Sequence, residues 1–227
     1  MKQPVTAEKP QIGADRKQAR KNLWASTMGQ LLEWYEWSSY AVFTPFIAAM
    51  MFHSEDSASA LLATFGVFAV GFLMRPLGGI IFGAIADRKG RKNVIVPTMI
   101  MMALGSVCIG LMPSYESIGI WASIGLLVIR MAQGLAHGGE SAAANSYIPE
   151  IAPRHKRGQW GSLVYVSIFG GSIIAYVLGG LVSFALTEDQ VAQGGWRIPF
   201  LLCAIGAIFA LYLRRGMEES EVFDEVD

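Results

Sequence analysis

Charge is scarce in this sequence. Asp, Glu, Lys and Arg together make up 16% of the 227 residues, whereas hydrophobic residues make up 53%. A soluble domain of this size would carry more charge. The formal net charge of +0 conceals a segregation of positive and negative side chains along the chain, so it gives no reason to expect a nucleic-acid partner. The composition therefore argues against an ordinary soluble domain.

Cysteine and the usual catalytic groupings are also scarce. The two cysteines, Cys108 and Cys203, both lie in apolar runs, which argues against a disulfide or zinc framework. We interpret both as core residues. The sequence shows no nucleophile at a suitable spacing from a base and no cluster of metal ligands. We therefore predict neither an enzyme nor a metal site, and no cofactor.

What the sequence does contain is a series of long apolar segments. Each is long enough to cross a hydrocarbon core of about 30 Å as an α-helix, at about 1.5 Å per residue. The alternating ten-residue strands of a membrane barrel are absent from the sequence. We predict an all-α membrane protein with six transmembrane helices. The segments are Leu23 to Met51, Ala60 to Ala86, Asn93 to Met112, Ser117 to Tyr147, Gln159 to Leu186, and Trp196 to Leu213.

Positive residues mark alternate connections between these segments. They follow the second, fourth and sixth segments, at Arg88 to Lys92, Arg154 to Arg157 and Arg214 to Arg215. Acidic residues mark the first, third and fifth connections, as at Glu116 and Glu188. Lys and Arg near helix ends stay on the cytoplasmic side. We therefore predict a multi-pass protein of the cytoplasmic membrane with both termini in the cytoplasm.

Ionisable side chains inside the predicted helices are functional candidates, because each is costly at the bilayer centre unless it is paired or faces water. Glu33 and Glu36 lie one turn apart in "LLEWYEWSSY", and Arg75 lies in "FLMRPLGG". The stretch "RMAQGLAHGGE" of the fourth segment supplies Arg130, Gln133, His137 and Glu140. Counted from the cytoplasmic ends, Glu33, Arg75 and His137 lie at similar depths. We expect the first, second and fourth helices to meet around one polar cavity near mid-membrane.

These side chains suggest two roles. Arg75 and Arg130 would hold a carboxylate through paired guanidinium bonds. The predicted substrate-binding set is Tyr40, Arg75, Arg130 and Gln133. The predicted proton-coupling set is Glu33, Glu36, His137 and Glu140. The alternative is structural, with the arginines as ion-pair partners of the glutamates, His137 as a hydrogen-bonded packing residue, and Glu140 as a partner of loop cations.

Small residues recur at helical spacing in two segments. Gly79 and Gly83 form a G-x-x-x-G pair in the second segment, and Gly171, Ala175 and Gly179 follow one another at four-residue steps in the fifth. Such faces let helices approach closely in lipid. We interpret both as packing surfaces.

The connection "GAIADRKGRK" has a more specific residue pattern than a simple topological anchor requires. It resembles the G-x-x-x-D-R-x-G-R-K loop that joins the second and third helices of major facilitator superfamily proteins. In that family the loop forms a cytoplasmic latch that biases the alternating-access equilibrium. The resemblance implies a conformational latch here, made of Gly83, Asp87, Arg88, Gly90 and Arg91.

Several stretches together narrow the resemblance. They are "LLEWYEWSSY", "GVFAVGFLMRPLGGIIFGAIADRKGRK", "PSYESIGIWA", "RMAQGLAHGGE" and "GGWRIPF". Together they look like the metabolite:proton symporter family, which takes up 2-oxoglutarate, citrate, shikimate, proline and betaine. The second of these stretches looks closest to the 2-oxoglutarate permeases. One departure is Glu36, where the family commonly has Asp.

The resemblance also implies an architecture. The family has twelve helices in two similar halves, so this chain is expected to be the N-terminal six-helix half, an inverted repeat of three plus three helices. We divide it into a cytoplasmic segment 1–22, a bundle 23–214, and the start of an inter-half linker 215–227. The second wall of the cavity would come from a C-terminal half that this sequence lacks, or from a second copy.

The function implied by the resemblance is proton-coupled symport of a small carboxylate such as 2-oxoglutarate, by alternating access, with the proton as coupling ion. The fifth segment has no Gly-Pro pair, which favours symport or uniport over exchange. Uptake of a zwitterionic osmolyte such as proline or betaine, or of shikimate, is the alternative within this class. A non-transporting membrane sensor or assembly subunit is the alternative from another class.

Overall fold

The computed structural model describes residues 12–53, 56–90 and 92–214, and every regular element within these ranges is helical. Long helices form the bundle, and short ones lie in two of the connections. The helices are α1 (Ile12–Met51), α2 (Ser57–Lys89), α3 (Lys92–Leu111), α4 (Tyr115–Ile118), α5 (Ile120–Ile151), α6 (Arg157–Ala185), α7 (Glu188–Gln193) and α8 (Ile198–Arg214), with single 3₁₀ turns at Arg154–Lys156 and Gly195–Arg197.

The long helices are α1, α2, α3, α5, α6 and α8, and they correspond in order to the predicted segments. In the described part of the chain, five of them, all except α1, are long and apolar enough to cross a membrane. The first helix does not meet that criterion because it carries polar residues along one face. That face is buried and includes Gln30, Glu33 and Glu36, so its polar groups lie inside the bundle.

Several predicted boundaries differ from the structure. The first helix begins at Ile12, so α1 extends into the predicted cytoplasmic segment 1–22. Residues 1–11 and 215–227 lie outside the described residues. The predicted fourth segment began at Ser117, whereas the structure has the short α4, a turn at Gly119 with φ 60°, and then α5. Glycine tolerates this positive φ, and the chain changes direction there.

The helix packing repeats itself about a pseudo-two-fold relation. The most extensive contacts join α2 to α5 and α1 to α6, and then α3 to α5 and to α8. If α1, α2 and α3 are matched with α5, α6 and α8 in that order, the α2–α5 contact corresponds to the α6–α1 contact. An inverted repeat of three plus three helices produces this arrangement.

Glycines bring α2 and α5 into backbone contact. A methyl group on Gly78 would overlap the carbonyl oxygen of Leu135, and one on Gly138 would overlap that of Arg75. Helices in lipid gain little from the hydrophobic effect, so close packing through small residues stabilises them instead. The predicted Gly79–Gly83 pair is wrong in part, because a methyl on Gly83 would meet open space.

The small-residue face of α6 packs as expected against α1. A methyl on Gly171 would overlap the carbonyl oxygen of Leu31, and one on Gly179 would meet the side chain of Val42. A hydrogen bond of 3.0 Å from Ser38 to Ser172 joins the same two helices. This pair therefore packs by the same means as α2 and α5.

Two apolar clusters lie on either side of a polar layer in the bundle. Tyr40, Phe43, Ile47, Trp196 and Phe200 are among the residues of the first cluster. The second cluster comprises Leu23, Ile148, Ala152, Trp160 and Val164.

The two cysteines have different environments. Cys203 is buried, but Cys108 is exposed on the outer surface, so the core assignment of Cys108 was wrong. An apolar segment in a membrane has no single buried face, since lipid also accepts apolar side chains.

Candidate functional site

The polar layer holds a group of ionisable side chains from α1, α2 and α5. Glu33, Arg130 and His137 have 0% of their surface exposed, and Glu36 has 2%. Arg75 reaches them from α2, with 17% of its side chain exposed. We call these five residues the charged cluster. Two carboxylates face two guanidinium groups, so their formal charges cancel when His137 is neutral.

Glu36 is held by α5 through two side chains. Nη1 of Arg130 lies 3.1 Å from Oε1 of Glu36 and 3.2 Å from Oε2. Nε2 of Gln133 donates a 3.2 Å hydrogen bond to the same carboxylate. Gly105 of α3 makes room for the Gln133 side chain, because a methyl there would overlap it. A buried carboxylate with this many charged and polar donors is well compensated.

Glu33 has weaker contacts. Gln30 donates a 3.3 Å hydrogen bond to its Oε2, and Ser141 lies 3.3 to 3.4 Å from both of its oxygens. Nη2 of Arg75 is 3.5 Å from Oε1, an ion pair without a hydrogen bond. The hydrogen bonds that Glu33 accepts thus come from neutral groups, and its guanidinium partner is more distant than that of Glu36.

His137 lies between the two carboxylates. Its Nδ1 is 3.1 Å from Oε1 of Glu33, and its Nε2 is 3.9 Å from Oε2 of Glu36. Its ring also packs edge-on against Trp37, with 5.2 Å between the ring centroids. A single imidazole in this position can exchange a proton with either carboxylate after a small movement.

Aromatic rings line both guanidinium groups. Cζ of Arg75 lies 4.4 Å from the centroid of Trp37, 4.3 Å from that of Phe72 and 5.3 Å from that of Trp34. Cζ of Arg130 lies 4.0 Å from the centroid of Tyr40. These distances are within the range of cation–π attraction. The rings also give the charged groups apolar surroundings, which strengthens the electrostatic interactions between them.

Some donors of the cluster have no hydrogen-bond partner among the described residues. They are Nε and Nη2 of Arg75 and the same two atoms of Arg130, and neither ring nitrogen of His137 has such a partner either. Oε1 of Gln133, an acceptor, also has no hydrogen-bond partner among the described residues. Unsatisfied buried donors are costly, so these guanidinium groups retain hydrogen-bonding capacity for a further ligand.

The other predicted site residues are placed as follows. The hydroxyl of Tyr40 donates a 3.1 Å hydrogen bond to the carbonyl of Thr64, so only its ring faces Arg130. Glu140 is fully buried on α5, within one turn of His137.

The predicted latch residues lie at the end of α2. Asp87 and Arg88 are exposed, and Gly90 ends the helix with φ 89° while its N–H donates to the carbonyl of Ala86. Arg91 lies outside the described residues. The turn between α2 and α3 is therefore very short, and its exposed charges can meet a partner surface.

Sequence reasoning missed several residues of the site. They are Gln30, Trp37, Phe72 and Ser141, which contact the charged cluster directly. Each stands three or four residues from a charged residue of its own helix, the spacing that places side chains on one face. That spacing is the signal that would have found them.

Long apolar helices around a buried, balanced charged cluster are characteristic of the membrane core of a small-molecule transporter. The sequence model of the family described as "Sugar (and other) transporter" matches residues 21–223. The chain therefore belongs to this family, within the major facilitator superfamily. Its members are transporters and not enzymes.

Curated relatives agree with this assignment. The chain is 43% identical over 211 residues to a putative proline/betaine transporter of Staphylococcus aureus (strain COL), covering 92% of this chain and 45% of the relative. It is 38% identical over 219 residues to the alpha-ketoglutarate permease of Escherichia coli (strain K12), covering 95% and 50%. The proline/betaine transporter of the same strain is 37% identical over 226 residues, covering 98% and 44%. The chain spans about half the length of the curated relatives it matches.

Solved structures show the same fold. The proton:xylose symporter XylE bound to 6-bromo-6-deoxy-D-glucose has a TM-score of 0.82 at 18% identity, covering 92% of this chain and 46% of that chain. The inward open conformation of XylE from E. coli has a TM-score of 0.79 at 20% identity, covering 90% and 49%. The predicted fold class, an all-α membrane protein corresponding to the N-terminal half of a major facilitator fold, is confirmed.

Proposed function

We propose that this chain forms one half of a secondary active transporter of the cytoplasmic membrane, which imports a small carboxylate such as 2-oxoglutarate together with protons by alternating access. The observation that carries the proposal is the charged cluster: two buried carboxylates, two guanidinium groups with donors to spare, and one imidazole between the carboxylates. The relative named alpha-ketoglutarate permease supports the substrate.

The arginines are the carboxylate-binding groups in this proposal. A guanidinium donates two parallel bonds to a carboxylate, and both arginines have two nitrogens without hydrogen-bond partners among the described residues. Arg75 makes the first contact, because part of its side chain is exposed whereas Arg130 is fully buried. Gln133 and the ring of Tyr40 border the Arg130 side of the site.

Charge balance links the proton to the substrate. The cluster is formally neutral, so a carboxylate that entered alone would add an uncompensated negative charge within the membrane. Insertion scales put an isolated charge at the centre of a membrane helix at about 2.5–3.5 kcal/mol. A proton taken up by Glu33, Glu36, His137 or the nearby Glu140 cancels that charge. Anion and proton therefore bind together more favourably than the anion alone.

The partner of this half is a second six-helix half, supplied by a C-terminal half or by a second copy of the chain. With both termini in the cytoplasm, the latch residues Asp87 and Arg88 face that partner at the cytoplasmic end. In this proposal the loop contacts stabilise the state closed to the cytoplasm. The proton is the only coupling agent that the proposal requires.

The experiment is uptake of labelled 2-oxoglutarate into proteoliposomes that hold the complete transporter containing this chain, with and without an inward proton gradient. We expect the gradient to drive accumulation, and a protonophore to abolish it. Uptake that ignores the gradient overturns the coupling. Binding of 2-oxoglutarate by calorimetry without any flux would support the non-transporting sensor or subunit.

A second candidate substrate is a zwitterionic osmolyte such as betaine or proline. The observation that favours it is the group of rings around Arg75, made of Trp34, Trp37 and Phe72. Such rings attract quaternary ammonium groups as well as guanidinium. Relatives named proline/betaine transporter support it. Competition of labelled 2-oxoglutarate uptake by unlabelled betaine, proline and shikimate distinguishes these substrates.

A further inference from the structure

The two carboxylates of the charged cluster are not equivalent. Glu36 receives Nη1 of Arg130 on both oxygens, at 3.1 and 3.2 Å, and the amide of Gln133 at 3.2 Å. Glu33 has its guanidinium partner at 3.5 Å without a hydrogen bond, and its other donors are the neutral groups of Gln30 and Ser141. Loss of charge would cost Glu36 a close ion pair, but would cost Glu33 only a distant one.

The imidazole of His137 also lies closer to Glu33 than to Glu36. Its Nδ1 is 3.1 Å from Glu33, whereas its Nε2 is 3.9 Å from Glu36. Neither ring nitrogen has a hydrogen-bond partner among the described residues, but Nδ1 already lies within hydrogen-bond distance of Glu33, whereas Nε2 lies beyond that distance from Glu36. A small rotation of the ring would therefore let His137 exchange a proton with Glu33 before it could do so with Glu36.

The groups around Glu33 come from several helices. Glu36 lies one turn away on α1, Arg75 reaches in from α2, and α5 carries Arg130, His137 and the buried Glu140. From α8, the thiol of Cys203 lies 3.9 Å from the carbonyl of Leu32, next to Glu33 in the chain. In this set, His137 is the group in closest contact with the Glu33 carboxylate that can also change its charge near neutral pH.

We propose that Glu33 and His137 form the proton-binding pair of the transporter, while Glu36 stays ionised as the fixed counter-ion of Arg130. The inference rests on the proposed function and assigns the proton within it. One proton enters from the outer aqueous side, binds to the Glu33–His137 pair, and leaves from the same pair toward the cytoplasm. No other bond is made or broken.

Protonation has a consequence for Arg75. The guanidinium of Arg75 lies 3.5 Å from Glu33 and has unpaired Nε and Nη2 atoms. A proton on the pair removes the net negative charge that holds Arg75 toward Glu33. Arg75 is then free to bind the carboxylate of the substrate. The proton therefore binds before the substrate, and loss of the proton favours release.

The test separates coupling from transport. Glu33→Gln and Glu36→Gln are placed in the complete transporter, with Glu116→Gln in the exposed α4 as a matched control. Each variant is assayed in proteoliposomes for gradient-driven accumulation of labelled 2-oxoglutarate or betaine, and for counterflow without a gradient. A pH difference of one unit supports about tenfold accumulation per proton.

We expect Glu33→Gln to lose about this tenfold accumulation while counterflow continues. Its counterflow should also become independent of pH. We expect Glu36→Gln to reduce both modes together, because it removes the counter-ion of Arg130, and Glu116→Gln to behave as wild type. The inference is overturned if Glu33→Gln still accumulates substrate under a proton gradient. It is also overturned if Glu36→Gln, and not Glu33→Gln, loses accumulation while its counterflow continues.

A milder variant covers the case in which Glu33→Gln does not fold. Ser141→Ala removes one donor from the Glu33 carboxylate, which makes protonation of the pair easier. The pH of half-maximal counterflow should then move to more alkaline values, and an unchanged pH profile contradicts the inference. If the wild type itself shows counterflow but no response to a proton gradient, the proposed proton coupling is wrong. This result differs from one in which the wild type is coupled but the proton-binding residues were wrongly assigned.

Discussion

Arg75 and Arg130 carry the same group in different surroundings. Arg130 is fully buried and bonded to Glu36, whereas Arg75 is partly exposed, stacks against Trp37 and Phe72, and forms no hydrogen bond to Glu33. A guanidinium held by cation–π contacts with aromatic rings is positioned without using its hydrogen-bond donors. The free edge of Arg75 therefore suits the first contact with substrate, whereas Arg130 keeps its pair with Glu36 and has only Nε and Nη2 left for a ligand.

The first prediction concerns the shape of the Arg75 group. Arg75→Lys keeps the charge but loses the planar fork and its stacking on the rings. We expect the KM for a carboxylate substrate to rise about tenfold or more, because a charge-assisted hydrogen bond is worth about 1.5–3 kcal/mol. Initial uptake rates measure this change, with Arg20→Lys at an exposed position of α1 as control. An unchanged KM would remove the case for a bidentate contact.

The second prediction concerns the pair of Arg130 and Glu36. Arg130→Met leaves the Glu36 carboxylate buried without its cation, which typically costs about 3–5 kcal/mol of stability. Adding Glu36→Gln to the same variant removes the stranded charge, so we expect most of the loss to be recovered while transport stays impaired. Thermal unfolding in detergent compares the two variants. Equal destabilisation of the single and double variants would argue against a direct pair.

At the scale of helices, the bundle depends on which faces allow backbones to touch. The α2–α5 contact runs along Gly71, Gly78, Gly134 and Gly138, and it places Arg75 opposite the turn of α5 that carries His137. The same close approach that stabilises the two helices thus fixes the geometry of the charged cluster. A change in this contact should affect stability and coupling together.

The third prediction compares two glycines of α2. Gly78→Ala places a methyl group against the backbone of Leu135, whereas Gly66→Ala places it in open space. Alanine favours a helix over glycine by about 1 kcal/mol, so Gly66→Ala should be neutral or slightly stabilising. We expect Gly78→Ala to lower both the unfolding temperature and the yield of folded protein. Similar unfolding temperatures for the two variants would contradict the close α2–α5 contact.

At the scale of the whole molecule, the outer surface is unusually apolar. Many large hydrophobic side chains are exposed, with Phe184 at 91% and Leu62 at 74%. In water such a surface would mark a binding interface or an aggregation hazard. In a membrane it faces lipid or another helical unit. The charged cluster lies between α1, α2 and α5, so a second unit can complete a cavity on their side.

The fourth prediction concerns the complete protein. The chain covers 45% and 50% of two of its relatives, so we expect the polypeptide extracted from its native membrane to have an intact mass near twice the 24.6 kDa of this chain. Mass spectrometry of the native polypeptide measures it. A mass near 24.6 kDa would instead require a second copy to form the other wall, or would favour the sensor.

Part of the charged cluster could be predicted from the sequence alone. The charges at Glu33, Arg75 and His137 were visible as costly residues in apolar segments, and equal depth along the helices predicted that they would meet. Trp37 was not among the predicted site residues, yet its ring lies near both arginines. Depth is a position along one helix, but contact also depends on rotation about the helix axis, which a sequence without partners does not define.

By itself, the sequence determined the class of this protein: a membrane bundle with its helices in order, a short charged turn after α2, and ionisable groups within apolar helices. Segment length and the cost of charge in lipid act along the chain, so they can be evaluated without a partner. Only the tertiary structure decided that Arg130 pairs with Glu36, 94 positions away, and His137 with Glu33. Both pairings join α1 to α5, so they depend on how these helices are rotated about their axes and on the side chains that three helices place in one buried layer.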